Sequence, residues 1–340
     1  MSVSRNHRSS RPRTTPTDSP ARTERSDRER GPATGTPRDP SYWPGVPHRA
    51  EEVRERLAEI GLRPSRSRGQ SFLTDPFAAD IEVAFLEVRP GEPIIEIGGG
   101  LGVLTEALAR RGLGPVRVIE RDPRLVAHLR RTFGDRVAVD EADALETEYA
   151  AGSVVVGNLP FSVASPILTR LFESRVRRVV ALLQKEVGER YAAGPGGRSY
   201  GRPAIQAALF GTTELGAPVP ASSFEPKPAV DGVIVRFTAR DGPLPVPSVV
   251  ELERVVRQLF SRRRKQLANL LPGVTGGERE AREAATAAGW PAGWEHQRPE
   301  ELAPAHYFAL ACVLSAHRRG GRRGPVGPVP IRAESAPAEK

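Results

Sequence analysis

Ile94-Ile95-Glu96-Ile97-Gly98-Gly99-Gly100-Leu101-Gly102 is an apolar run that breaks into a glycine-rich turn, and Val103 to Arg111 follows with helical spacing. A strand, a tight turn and a helix are the units this pattern predicts, and glycines in such a turn let a ligand approach the backbone closely. The same alternation continues outward. Val116 to Glu120 reads as a strand, Pro123 to Phe133 as a helix and Val137 to Asp140 as a strand. Ser153 to Gly157 is a strand, Pro166 to Glu173 a helix, Arg178 to Gln184 a strand, and a helix begins at Val187. Repeated β-α alternation implies an α/β fold with an open, mostly parallel sheet and helices on both faces. Ligands of such sheets bind at the carboxyl ends of the strands.

Before the sheet, Glu51 to Ile60 reads as a short helix with Val53, Leu57 and Ile60 on one face. Pro64-Ser65-Arg66-Ser67-Arg68-Gly69-Gln70 is a basic loop leading to Ser71-Phe72-Leu73, and Asp75-Pro76 starts a helix. After Arg240 the strand pattern stops. Pro247 to Leu271 and Glu278 to His317 have helical periodicity, and Arg262-Arg263-Arg264-Lys265 makes the first long helix basic. Met1 to about Pro47 is rich in Arg, Ser, Thr and Pro without hydrophobic period, and 318–340 is similar with Gly, Pro and Arg. Both ends are expected to be disordered tails. The resulting division is 1–47 tail, 48–240 α/β domain, 241–317 helical domain and 318–340 tail.

The 340 residues carry a formal net charge of +9. That excess favours a polyanionic partner, because Lys and Arg near phosphates release condensed counterions; a generically basic surface is the plainer explanation. A membrane surface would attract the same charge, yet no apolar run approaches the roughly 20 residues of a membrane helix. The single cysteine, Cys312, permits no intramolecular disulfide and no cysteine-based zinc site, and no metal site is expected. It lies in an apolar stretch and reads as a small buried hydrophobe. The N-terminus lacks an apolar secretory core, so a cytoplasmic location is the expectation; a monomer is also expected, though no sequence feature fixes the oligomeric state.

The acids at successive strand ends sharpen the glycine turn. Taken alone the turn is shared by nicotinamide, flavin and nucleoside-methionine cofactors. Val116 to Ile119 ends in Glu120, about 20 residues beyond the turn, where a carboxylate can accept both ribose hydroxyls. The next strand leads into Asp140-Glu141-Ala142-Asp143-Ala144-Leu145, where Asp143 can take an adenine exocyclic amine. Each acid considered singly could be an ordinary surface carboxylate; three features in order favour a nucleoside site. Gly98, Gly100 and Gly102 are spaced GxGxG rather than GxGxxG, which weakens a dehydrogenase reading.

The fourth strand decides further. Val154-Val155-Val156-Gly157-Asn158-Leu159-Pro160-Phe161 places an amide and an aromatic ring at the end of a buried strand. The N6 lone pair of adenine is delocalised into its ring and is a poor nucleophile. Hydrogen bonds from that amine to the Asn158 side-chain oxygen and to a backbone carbonyl of the tetrad favour a pyramidal nitrogen aimed at an electrophilic methyl. No strong base is required, and most of the gain comes from positioning and from placed dipoles. Phe161 would stack on a base taken out of its helix, and Phe224, in the stiff Ser223-Phe224-Glu225-Pro226-Lys227-Pro228 loop, would close the other face. Core aromatics are the plainer reading of both rings. A hydride transferase has no need of the Asn-Leu-Pro element.

These stretches, in order from about Glu51 to His317, resemble the KsgA-type rRNA adenine N6-dimethyltransferase family, relatives of the Erm resistance methyltransferases. The matching segments are Gly69 to Asp75, Glu96 to Gly102, Ile119 to Asp122, Asp143 to Leu145 and Gly157 to Ser162, then Leu183 to Arg190, Tyr200 to Arg202, Phe224 to Asp231 and Arg263 to Leu267. The resemblance implies a Rossmann-like class I methyltransferase domain with a small C-terminal all-helical domain. It implies S-adenosyl-L-methionine as cofactor, held by Ser71, Leu73, Gly98, Glu120, Asp143 and Asn158. It implies dimethylation of two adjacent adenines in the 3′-terminal hairpin of small-subunit (16S) rRNA, within the 30S subunit or its precursor, and a role in 30S biogenesis. Asn158, Leu159, Pro160, Phe161 and Phe224 would be catalytic, and Arg262, Arg263, Arg264 and Lys265 would face RNA phosphates. Three departures stand out. Ser71 replaces the usual Asn, Gly99 replaces Pro and should loosen the turn, and Phe161 replaces a common Tyr while keeping the stacking face. Two alternatives remain: an Erm-type enzyme acting on 23S rRNA, and a non-catalytic RNA-binding assembly factor. The segments at Leu183 to Arg190 and Tyr200 to Arg202 resemble the small-subunit enzymes, whereas the basic tails resemble some resistance enzymes.

Overall fold

The computed structural model describes residues 43–64 and 70–319. Most of both expected tails, and residues 65–69 of the basic loop, lie outside the described residues. The chain opens with α1 (Ala50–Glu59), β1 (Phe72–Leu73) and α2 (Pro76–Leu86). Asp75 caps α2, accepting from the Phe77 and Ala78 N–H groups at 3.0 and 3.3 Å, with Pro76 at the first turn.

The strand-helix alternation then follows the sequence pattern closely: β2 (Ile94–Ile97), α3 (Val103–Arg111), β3 (Val116–Glu120), α4 (Pro123–Phe133), β4 (Ala138–Glu141), β5 (Val154–Asn158), α5 (Ala164–Glu173), β6 (Arg178–Gln184) and α6 (Lys185–Tyr191). These five strands are parallel, paired β4-β3-β2-β5-β6. Their β-branched runs are buried on both faces, as a sheet covered by helices on each side requires. Apolar clusters lie on the two sides, one centred on Leu104, Leu108, Leu129 and Phe133 and the other on Leu168, Leu171, Phe172 and Phe237. The chain starts in the middle of the sheet at β2, moves outward to β4, then returns to β5 on the other side of β2. The crevice opened by that reversal, at the carboxyl ends of β2 and β5, is where open α/β sheets bind ligands.

Past α6 the structure adds elements that the sequence pattern did not reveal. Helix α7 (Arg202–Phe210) leads to β7 (Gly211–Val219), then a two-residue β8 (Phe224–Glu225) and β9 (Gly232–Ala239). Strand β9 joins β6 antiparallel and β7 closes the edge, giving seven strands. β7 hides its nature because it is a half-exposed edge strand with Gly216, Pro218 and an irregular register between Leu215 and Pro218. β9 is apolar and buried at Val233, Ile234, Val235 and Phe237.

The C-terminal part is helical, with α8 (Val249–Phe260), α9 (Leu271–Thr275), α10 (Glu278–Ala287) and α11 (Pro304–Arg319). Its core of Leu252, Val255, Leu259, Tyr307 and Leu310 also takes in Tyr200, Ile205 and Leu209 from the region of α7. Three expectations need correcting. Arg262 to Lys265 do not lie on a helix: α8 ends at Phe260 and the four cations occupy the turn that follows. Helix α11 runs through Arg319, past the expected end at 317. The ordered chain also begins before 48, because Trp43 and Val46 are apolar anchors in an otherwise polar stretch. Val46 is buried, and the Trp43 indole N–H donates to the Thr132 carbonyl at 3.0 Å.

Candidate functional site

A cleft of about 790 Å³ sits at the carboxyl ends of the parallel strands. Ser71, Leu73, Gly98, Glu120, Asp143, Asn158, Leu159, Pro160, Phe161 and Phe224 all line it. Residues far apart in sequence converge there because each follows a strand end or lies on the short β1–β8 ladder, which pairs Leu73 with Phe224. That ladder is tied down on its other side. Thr74 N–H donates to the Ser223 carbonyl at 2.8 Å, and Ser223 Oγ lies 3.0 Å from Asp75 Oδ2.

The glycine turn is built for close approach. Gly98, Gly100 and Gly102 have φ of +76°, +55° and +96°, a region that side chains disfavour. The turn adjoins the tetrad: a Cβ added to Gly98 would lie 3.9 Å from the Asn158 carbonyl oxygen. Gly99 is closely surrounded: a Cβ there would come within 2.5 Å of Val118 Cγ1 and 2.8 Å of Leu129 Cδ1.

Glu120 is oriented by backbone donors. Its Oε2 accepts from Gly100 N–H at 3.1 Å, and Oε1 accepts from the Arg121 and Asp122 N–H groups at 2.8 and 2.9 Å. Burial raises this carboxyl above its ordinary value, while the three N–H donors oppose the rise. Asp143 Oδ1 accepts from Leu145 N–H at 2.9 Å, and its Oδ2 lies 3.1 Å from Arg121 Nη1. Asn158 Oδ1 is buried and has no hydrogen-bond partner among the described residues. A buried amide oxygen without a partner is costly, and one in a cleft wall is placed to accept from a ligand donor. Phe161 is half-buried and Phe224 is buried; both face the cleft lining from opposite segments.

Glu96 also lines the cleft and was not singled out from sequence. It is 1% exposed, one of its oxygens lacks a partner, and burial followed by the Glu120 charge pushes its carboxyl up to about 8. Behind it, Glu82 of α2 is fully buried, and neither of its oxygens has a partner among the described residues; burial and the neighbouring Glu96 raise its carboxyl well above the ordinary range.

The four cations of the helical part are separate from this cleft lining. Arg262, Arg264 and Lys265 are exposed. Arg263 is partly engaged, with Nε 2.8 Å from Glu300 Oε2 and Nη2 donating to the Arg198 carbonyl at 3.1 Å. Cys312 is half-buried rather than buried, its thiol raised by burial and 3.4 Å from the Pro245 carbonyl.

A glycine turn, two strand-end acids and an amide whose oxygen has no partner among the described residues line one cleft together with Phe161 and Phe224. The class is that of the class I methyltransferases. The sequence profile of the family described as ribosomal RNA adenine dimethylase matches residues 62–288, and the chain belongs to that family. It is 38% identical over 299 residues to the ribosomal RNA small subunit methyltransferase A of Myxococcus xanthus, covering 85% of this chain and 100% of that protein. It is 35% identical over 268 residues to the protein of that name from Vibrio cholerae, covering 76% and 96%. Among solved structures, a dimethyladenosine transferase from Plasmodium falciparum superposes with a TM-score of 0.62 at 25% identity, covering 73% of this chain and 98% of that one. The 23S rRNA methyltransferase ErmE gives 0.55 at 26%, covering 71% and 98%.

Proposed function

We propose that this chain transfers methyl groups from S-adenosyl-L-methionine to N6 of two adjacent adenines in the 3′-terminal hairpin of 16S rRNA, within the 30S subunit or its precursor. The observation that carries this reading is the buried, unpartnered Asn158 Oδ1 in the wall of a cleft that also holds Phe161 and Phe224. An adenine amine is the donor that this oxygen lacks.

The bound cofactor supplies an electrophilic methyl on a sulfonium. Glu120, fixed by three backbone N–H groups, accepts the ribose hydroxyls. Asp143 would take the exocyclic amine of the cofactor adenine, Leu73 would pack against the ligand, Gly98 would let the methionine part approach the backbone, and Ser71 would reach the methionine carboxylate. On the substrate side, Phe161 and Phe224 hold the extruded base by stacking, worth about 1–3 kcal/mol per base. Asn158 Oδ1 and a backbone carbonyl of the Asn158 to Phe161 segment accept the two N6 hydrogens and turn the lone pair toward the methyl. Those acceptors would steady the positive charge that develops on N6 during transfer, and the amine would then release its proton to solvent. Leu159 and Pro160 fix the chain so that both acceptors converge. Arg262, Arg263, Arg264 and Lys265 serve as phosphate contacts of the 241–317 region, with Arg263 also bracing the turn.

The names of the relatives support the small-subunit target, and the likeness to ErmE supports a large-subunit alternative. The test is incubation with labelled cofactor and under-methylated 30S particles: label in the adenine pair is expected, and its absence there removes the small-subunit reading. Expression in a sensitive host tests the alternative, which requires raised macrolide tolerance. Phe161→Ala should abolish methylation and leave RNA affinity largely intact; persistent methylation removes the stacking role.

A further inference from the structure

Residues 43–61 lie outside the stretch matched by the family profile, which begins at 62. They nevertheless form the outer wall behind the cofactor half of the cleft. Val53 and Leu57 of α1 pack with Phe72, Leu101 and Leu125, all three of which line the cleft. Arg54 Nη1 lies 3.2 Å from Glu225 Oε2, next to Phe224.

The segment before α1 reaches the glycine turn itself. Glu106 is 1% exposed and sits in the first turn of α3, its N–H donating to the Gly102 carbonyl at 2.8 Å. Both of its carboxylate oxygens are engaged from the N-terminal segment: Oε1 accepts from the Trp43 backbone N–H, and Oε2 lies 2.5 Å from His48 Nε2. His48 is itself fixed, its N–H donating to Glu52 Oε2 at 3.0 Å. The Trp43 ring lies 5.3 Å from Phe133 and has the Arg136 guanidinium 4.7 Å from its centroid. Phe133 in turn packs on the turn, since a Cβ at Gly102 would be 2.8 Å from one of its ring carbons. Two routes therefore run from one short segment to Gly102, one through Glu106 and one through Phe133.

We propose that Trp43 and His48 are positioning residues for the cofactor: they clasp Glu106 and Phe133 and so hold the Gly98–Gly102 turn and the start of α3 in the conformation that binds S-adenosyl-L-methionine. The physical reason is that a buried carboxylate must be partnered or hydrated. Released from Trp43 and His48, Glu106 has to turn toward water, and the residue that moves with it is in the first turn of the helix whose N-terminal residues carry the binding loop. Removing the Trp43 ring uncovers Phe133, the ring that backs Gly102. The clasp touches none of the base-side residues, so its effect belongs to the cofactor and not to RNA.

The inference rests on the cofactor reading given above. The experiment measures S-adenosylhomocysteine binding by calorimetry on the full chain, with melting temperature and separate KM values for cofactor and RNA. Trp43→Ala is expected to weaken binding and raise the cofactor KM about tenfold or more, with the RNA KM unchanged; Trp43→Phe, which keeps an aromatic ring against Phe133 but not the indole N–H to the Thr132 carbonyl, should recover most of the loss. Glu106→Gln keeps size and an acceptor, serves should Trp43→Ala fail to fold, and is expected to weaken binding several-fold at an unchanged melting temperature. Wild-type binding with unaltered affinity in the folded variants, or RNA and cofactor KM values shifted equally, overturns the clasp alone. A wild-type chain that binds no S-adenosylhomocysteine overturns the cofactor reading and the clasp with it.

Discussion

Asn158→Ala separates what this residue does for the fold from what it does for the reaction. In the folded chain the side-chain oxygen is buried without a partner. Leaving such an acceptor unsatisfied costs about 1–3 kcal/mol. The substitution removes that penalty and also removes packed atoms, for which about 1 kcal/mol is a fair loss. The two nearly cancel, so stability without ligand should change by no more than about 1 kcal/mol, which is about 2–4 °C in melting temperature for a folded body of this size. Methyl transfer is different. Removing one preorganised polar group at a reacting centre costs about 2.7–4 kcal/mol, or about 100- to 1000-fold in rate. The assay pairs calorimetric melting of the unliganded chain with transfer of labelled methyl to under-methylated 30S particles. Preserved melting with lost transfer is the expected result. A fall in melting temperature beyond about 5 °C would show that the oxygen has an internal partner, and transfer within tenfold of wild type would remove it from the chemistry.

Other perturbations follow from the same geometry. Glu120→Gln should weaken cofactor binding about 10- to 100-fold, the range expected for charge-assisted hydrogen bonds of about 1.5–3 kcal/mol, as read by calorimetry. Glu96 holds its proton up to about 8 in the folded chain against 4.5 as the ordinary value. Between those values the folded state binds a proton that the unfolded state has released, so stability falls as pH rises; Glu96→Gln should flatten that part of a melting-versus-pH profile. Replacing Arg262, Arg264 and Lys265 together by Ala should lower the log–log salt slope of RNA binding by about 2–3, and an unchanged slope would take the turn out of the interface. Gly99→Ala should destabilise by about 1–3 kcal/mol through overpacking against Val118 and Leu129, and adding Val118→Ala should return part of that loss in a double-mutant cycle.

The parallel half of the sheet is legible in sequence because each strand is a β-branched run ended by a turn signal. Val103 to Arg111 and Pro123 to Phe133 match their helices residue for residue. The same holds for the residues at the strand ends, since topology forces Gly98, Glu120, Asp143 and Asn158 to one edge. Strand β7 was not legible, because an edge strand with a proline and a register shift shows little alternation. The basic run at Arg262 to Lys265 was placed on a helix since periodicity alone does not locate where α8 stops; the turn after Phe260 carries no glycine or proline to mark it. Glu96 and Glu106 escaped notice for another reason. A carboxylate in a pattern reads as exposed, and only packing reveals that both are buried. The close approach of Val118 and Leu129 to Gly99 was not legible either, because it arises from β3 and α4 and not from the turn itself.

Mass mapping of methyl marks on rRNA tests the central claim most directly. Cells lacking this gene, compared with the same cells carrying it, should lose four methyl groups from the adjacent adenine pair in the 3′-terminal hairpin of 16S rRNA and regain them on complementation, but not with Asn158→Ala. An unmodified 16S pattern in the presence of the gene, or a gene-dependent mark on 23S rRNA instead, would contradict the account.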